Sequence, residues 1–175
     1  MIFANLRADV ARWGWMQSLF MRVMDRLQRY TGLEIFRVLI RPLDASPTLP
    51  HLPSGVTLRI VQPNELFAAA NSSELEMSLE FVRDALARGD IAFGAFDHDQ
   101  LVAYMWRTFS AGTLNRLWVR VRYPYRFGYK AFTKPSYRGM RLSVAISLFS
   151  DAYFLERGYT HGVDFILVSN SSSLA

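Results

Sequence analysis

Near the start of the chain, Leu6, Val10, Trp13, Phe20, Met24, Leu27 and Tyr30 recur at steps of three or four, or sums of two such steps. That spacing predicts one apolar face of a helix. Arg7, Arg12, Arg22, Arg26 and Arg29 fill much of the remaining surface, and Gly32 is placed to end the helix. The piece LEIFRVLIRPL that follows is short and strongly apolar, and reads as either strand or helix. Then Pro42, Pro47, Pro50 and Pro53 crowd a stretch that can sustain neither a ladder nor a helix. We therefore expect a basic N-terminal helical extension over residues 1–43, a Pro-rich linker over 44–55 and a domain over 56–175.

Beyond the linker the pattern alternates. Val56, Leu58 and Ile60 share one face of a strand. Pro63 and Asn64 open a helical region, and ELEMSLEFVRDALARGD reads as a helix ending at Gly89. IAFGAF and LVAYMWRTF are two strands joined across Asp97, His98, Asp99 and Gln100 as a tight hairpin. A strand near FGYKAFT precedes a helix carrying Leu142, Ile146, Phe149, Ala152 and Tyr153, and GVDFILVSN is a last strand. The order β-α-α-β-β-β-α-β predicts an α/β (α+β) fold, a mixed sheet flanked by helices, with the two strands around the last helix parallel.

Composition narrows the class. The chain has 175 residues, 51% apolar and 14% aromatic, enough for one sizeable core and too apolar for a disordered chain. No apolar run approaches the ~18 residues that span a bilayer, and Arg7, Asp9 and Arg12 interrupt any signal-peptide core. The cytoplasm is the expected compartment, with a peripheral membrane contact as the variant the basic helix allows. Zero cysteines exclude disulfides, thiolate metal sites and a cysteine nucleophile. The formal charge of +5 favours anionic partners. The arginines are spread without a reading helix or RNA-binding motif, which argues against nucleic acid.

The nonapeptide KPSYRGMRL, residues 134–142, places Arg138 and Gly139 where the last helix is about to begin. A helix N-terminus is an anion site even without special side chains, and Arg138 and Arg141 add planar donors suited to phosphate oxygens. An ordinary strand-to-helix turn fits the same residues. The segment matches neither a Walker loop nor a dinucleotide fingerprint.

In its context AFTKPSYRGMRL resembles the acyl-CoA-binding motif of the GCN5-related N-acetyltransferase superfamily. The resemblance runs from about Val56 to the C-terminus and includes Asn170 followed three residues later by Ser173. It implies that the backbone of Ala131, Phe132 and Thr133 pairs with the pantetheine arm of acetyl-CoA or another acyl-CoA. It also implies that the amides of Arg138, Gly139, Met140, Arg141, Leu142 and Ser143 cradle the pyrophosphate, and that Asn170 sits near the thioester. The reaction would be direct attack by a primary amine, on a small or macromolecular acceptor, with no metal. Arg141 stands where the motif has its first glycine, and Ser143 where it has glycine or alanine. The family continues past its fifth strand with a helix and two more strands, which leads us to expect a domain incomplete at its C-terminal end.

Other polar residues read less sharply. His51, His98 and His161 have no zinc-site spacing. Glu74, Glu76 and Glu80 fall where the family lines its acceptor pocket, and an exposed helix face is the plainer reading. Tyr123, Tyr125 and Tyr129 alternate with Arg120, Arg122 and Arg126, as in an acceptor pocket or a half-exposed edge strand. For the N-terminal segment, residues 3–30, three readings stand: packing on the domain or on a second subunit as a homo-oligomer, which is the plainer outcome, or a membrane surface. The rival to an enzyme is a non-catalytic remnant or a membrane-surface binding module.

Overall fold

The computed structural model describes residues 10, 11, 14–33, 35–44, 48–109 and 121–168. The chain divides into two compact units, Met1–Leu39 with Phe165–Ala175, and Ile40–Asp164. Helix α1 (Trp15–Thr31) is followed by strand β1 (Phe36–Pro42), so the ambiguous apolar piece is a strand. Then come β2 (Val56–Ile60), α2 (Pro63–Ala70), α3 (Leu79–Ala87), β3 (Ile91–Asp97), β4 (Gln100–Thr108), β5 (Tyr125–Thr133), α4 (Leu142–Leu155) and β6 (His161–Leu167). From Val56 onward this is the order expected.

The strands form one mixed sheet in the order β1-β6-β5-β4-β3-β2. The pairs β2–β3, β3–β4 and β4–β5 are antiparallel, and β5–β6 is parallel. Period-two alternation sends side chains to both faces, so two cores form. On one, Ala92, Phe96, Tyr104 and Trp106 pack with Leu66, Ala69, Val82 and Ala85 of α2 and α3. On the other, Phe93, Ala95, Val102 and Ala103 pack with Leu142, Ile146 and Phe154 of α4.

The helix expected over ELEMSLEFVRDALARGD is shorter. Glu76 takes a left-handed conformation (φ 47°), which breaks the run. The Ser78 hydroxyl then accepts the Phe81 N–H at 3.2 Å, so α3 starts only at Leu79. A second difference concerns α1. Its fully buried residues are Ser18 and Met21, while Phe20, Leu27 and Tyr30 of the expected apolar stripe are exposed, Tyr30 to 87%.

Candidate functional site

Strand β5 carries three features in succession. The first is a bulge. Its ladder to β4 pairs Met105 with Ala131 and then Trp106 with Tyr129, leaving Lys130 as the extra residue at φ 37°. A non-glycine residue in that region costs of order 1 kcal/mol or more, and such strain collects at sites where backbone must be re-aimed. The second is a divergence. The parallel ladder to β6 ends at Gly128↔Asp164, whereas the ladder to β4 continues to Thr133. Among the described residues, 129–133 therefore have β4 on one side and no ladder to β6 on the other.

The third feature is the turn into α4. Lys134 donates its N–H to Val102 O at 2.9 Å, and a single 3₁₀ turn, Pro135–Tyr137, follows. The Tyr137 hydroxyl donates to Asp97 Oδ2 at 2.5 Å and pins the turn to the β3–β4 hairpin. That bond, followed by the contact with His98, holds the Asp97 carboxyl below the ordinary carboxylate range. Gly139 has φ 83°, a conformation that favours glycine. Arg141 is the N-cap of α4 and is itself left-handed (φ 57°, ψ 23°). The backbone thus takes a glycine-like shape even though the residue is arginine.

No side chain caps the start of α4, and its first turn holds no acidic residue. The first N–H groups of the helix and its positive dipole end lie among Gly139, Met140, Arg141 and Ser143, all exposed, with Leu142 buried beneath them, while the Arg138 N–H is given to Pro135 O at 3.3 Å. Arg138 folds back so that its Nε donates to Thr133 O at 3.3 Å. This is the shape of an anion cradle joined without interruption to a strand edge.

Beside the bulge lies a cleft of about 600 Å³ whose walls include Asn71, Ser72, Ser73, Glu76, Ser78 and Lys130. The connection between α2 and α3 forms one wall, held to the end of β5 by an ion pair between Glu74 and Lys134 at 2.8 Å. Of the three glutamates considered, Glu76 lines the cleft, Glu74 is engaged with Lys134, and Glu80 is an exposed residue of the first turn of α3. The sequence reading missed Lys130, Asn71, Ser72, Ser73 and Ser78. The available signal was the polar run Asn71-Ser72-Ser73, too rich in turn formers to continue a helix.

Behind β5, on the α4 side, is a buried charge cluster. Asp151 accepts from Arg126 Nη2 and from Arg41 Nη1, each at 2.5 Å. Arg107 donates to the Ser150 and Ser147 hydroxyls at 3.3 and 3.1 Å and lies 3.5 Å from Asp164. Burial, then the neighbouring positive charge of Arg126, pulls the Arg107 guanidinium down from its ordinary value. Gly128 and Gly162 make the room: a Cβ at Gly128 would collide with Arg107 and Asp164, and one at Gly162 would come within 2.9 Å of Arg126 Nη2. Arg126 Nε and Nη1 are buried without a partner among the described residues.

These contacts correct the Tyr/Arg reading of β5, which is an interior strand rather than an edge. Arg126 belongs to the buried cluster. Tyr129 donates to Asp90 Oδ2 at 2.5 Å and accepts from Arg88 at 3.2 Å, and Tyr125 stacks on His161. Burial, then the bond to Asp90, raises the Tyr129 hydroxyl well above its ordinary value. Asn170, Ser173 and Arg120 lie outside the described residues. No group of three or more metal-ligating side chains occurs among the described residues.

No family model matches the sequence, and no curated protein does. Solved structures do. A tandem GNAT protein from the clavulanic acid biosynthesis pathway, described as without AcCoA, superposes with a TM-score of 0.58 at 18% identity, covering 86% of this chain and 51% of that one. A GCN5-related N-acetyltransferase from Sphaerobacter thermophilus gives 0.56 at 14% identity, covering 84% and 48%. An aminoglycoside acetyltransferase from an uncultured soil metagenomic sample, in complex with trehalose, gives 0.51 at 9%, covering 69% and 83%. The chain spans about half the length of the first two.

Proposed function

We propose that this chain, which has the fold of the GCN5-related N-acetyltransferases, is an acyl-CoA-dependent N-acyltransferase acting on a primary amine. One observation carries the reading. The strand edge freed where β5 leaves β6 runs directly into an uncapped helix N-terminus with two exposed arginines. A long, thin, anionic ligand needs those two surfaces in that order.

The residues present fit acyl-CoA as a substrate. The backbone of Ala131, Phe132 and Thr133 offers main-chain partners for the amides of a pantetheine arm, in the manner of an added strand. The amides of the turn into α4, from Gly139 through Ser143, would hold the pyrophosphate, with the Arg138 and Arg141 side chains supplying charge and the Arg138 N–H, bonded to Pro135 O, fixing the turn. The left-handed backbone at Arg141 removes the objection that a side chain there spoils the turn. Asn170 is retained as the residue expected near the thioester.

The acceptor would enter by the cleft at Lys130. Its serine and asparagine lining suits a hydroxylated amine, in keeping with the aminoglycoside acetyltransferase among the neighbours. Glu76 is the cleft's carboxylate and is placed to hold the acceptor's ammonium before the proton is lost. In the reaction the amine nitrogen bonds to the acyl carbon, the carbon–sulfur bond breaks, and free CoA thiol leaves.

The test is release of thiol from acetyl-CoA with a panel of hydroxylated and simple amines. Glu76→Gln should raise the acceptor KM about tenfold while leaving CoA binding unchanged, since one charge-assisted contact is worth ~1.5–3 kcal/mol. A chain that binds CoA yet acylates no amine, or a Glu76→Gln variant with unaltered KM, would remove the catalytic or the acceptor part of the proposal respectively.

A further inference from the structure

The cleft beside the bulge is walled by two opposite charges that do not neutralise each other. Glu74 and Lys134 nearby are paired at 2.8 Å, whereas Glu76 and Lys130 both line the cleft and, among the described residues, neither forms an ion pair. Each is fixed by its neighbours. Glu76 stands between buried Leu75 and Met77, and the Tyr104 hydroxyl of β4 donates to Leu75 O at 2.9 Å. Lys130 is the extra residue of the bulge, and its ammonium lies 5.0 Å from the centre of the Phe81 ring, which is itself edge-on to buried Trp106. Four described non-glycine residues have positive φ, and two of them are these, Glu76 at 47° and Lys130 at 37°. Both side chains are exposed, so the strained backbone aims charge into the cleft rather than packing core.

The other polar groups of the cleft say what each pole would take. The Ser72 hydroxyl accepts the Glu74 N–H at 3.3 Å and the Ser78 hydroxyl accepts the Phe81 N–H at 3.2 Å, so each keeps its own proton to donate. Lys130 and these two hydroxyls are donors and suit a carboxylate. Glu76 offers acceptor oxygens and suits an ammonium. A simple amine would engage Glu76 and leave Lys130 without a counter-charge, and a diamine would set its second ammonium against Lys130. A molecule carrying both an ammonium and a carboxylate satisfies the two poles at once. A cleft of about 600 Å³ admits one of amino-acid size.

We propose that the acceptor is an amino acid, its ammonium on Glu76 and its carboxylate on Lys130 and the Ser72 and Ser78 hydroxyls. The proposal rests on the acyl-transfer reading of this cleft, and it makes Lys130 a specificity-determining residue. The experiment sets serine against ethanolamine, alanine against ethylamine and tyrosine against tyramine, each pair differing by the carboxylate alone. Thiol release from acetyl-CoA and calorimetric binding to the chain in the presence of CoA are read side by side. One charge-assisted contact predicts that each acid exceeds its amine about tenfold or more, in kcat/KM and in affinity. Lys130→Gln should bring each acid down to the level of its amine, Lys130→Glu should reverse the order, and Lys130→Arg should keep it. A lysine that merely supported the bulge would, when replaced, weaken acid and amine alike. The proposal is overturned by acids and amines that perform equally in both readouts, by such a uniform loss, or by a margin that survives Lys130→Glu. Acids bound in the stated order with no thiol released would uphold the ligand class and remove the acyl-transfer reading instead.

Discussion

Helix α4 is served by two groups of arginines, and the contrast between them separates structure from site. At its N-terminus Arg138 and Arg141 are exposed, and the backbone beneath them is held at positive φ at Gly139 and Arg141. One turn further on, Ser147, Ser150 and Asp151 receive Arg41, Arg107 and Arg126, the last two essentially without solvent. The buried group has carboxylates, hydroxyls and two glycines arranged around it. Among the described residues, the exposed group is held by a weak bond from Arg138 to Thr133 O. Buried arginines bound to carboxylate and hydroxyl oxygens fix a packing arrangement, even with Arg126 Nε and Nη1 left over, whereas those on a helix N-terminus keep solvent-facing donors for an anion.

Removing the charge that organises the buried group should have the largest effect. Asp151→Asn leaves Arg126 buried without its carboxylate, and stripping one partner from such a pair costs about 3–5 kcal/mol. Urea unfolding should register that loss. A loss under ~1 kcal/mol would mean that water reaches the cluster and that the contrast between the two groups is overstated.

Alkaline pH probes the other face of β5. The Tyr104 and Tyr129 hydroxyls are both raised above the ordinary tyrosine value, first of all by burial. A raised folded value means their stabilisation is fully present below pH ~10 and is lost as pH climbs toward the folded values, by up to ~1.4 kcal/mol per unit for each group. Urea midpoints at pH 8 and 10.5 should differ in that sense, and Tyr129→Phe should flatten the difference. A midpoint that rises over this range would show that the two hydroxyls do not control the alkaline limit.

The smallest stability change is expected at the cradle. Arg141→Gly relieves about 1–2 kcal/mol of left-handed strain but adds roughly 0.5–1 kcal/mol of chain entropy, for a net gain near 1 kcal/mol. If the Arg141 side chain clasps phosphate, the same variant should bind CoA about tenfold more weakly, as titration calorimetry would read. Unchanged or tighter binding would show that the side chain only tolerates the ligand.

Much of this was legible from the residues. Val56, Leu58 and Ile60 alternate as a strand, and the two-residue turn at His98 and Asp99 closes the hairpin as expected. KPSYRGMRL does lie at a strand-to-helix junction. What was not legible depended on three-dimensional closure. Arg126 looks like any surface arginine in RYPYRFGYK, and only the approach of α4 brings Asp151 to it. Lys130 is one residue in an apolar strand, and its bulge exists because β4 and β5 fall out of register by one. The stripe on α1 was visible by its period, but periodicity gives a face without saying what covers it. Asn170 rests on resemblance alone.

The central claim is that the bare N-terminus of α4 holds the pyrophosphate of CoA, and Ser143→Glu tests it most directly. A carboxylate in the first turn suits the helix dipole and should raise intrinsic stability by about 0.3–1 kcal/mol while repelling phosphate from the same amides. The account predicts that CoA at 100 times its Kd stabilises the native chain by about 2.7 kcal/mol. It predicts that Ser143→Glu melts higher than the native chain without ligand, and that CoA no longer shifts it. A native chain indifferent to millimolar CoA, or a Ser143→Glu variant that CoA stabilises equally, would contradict it.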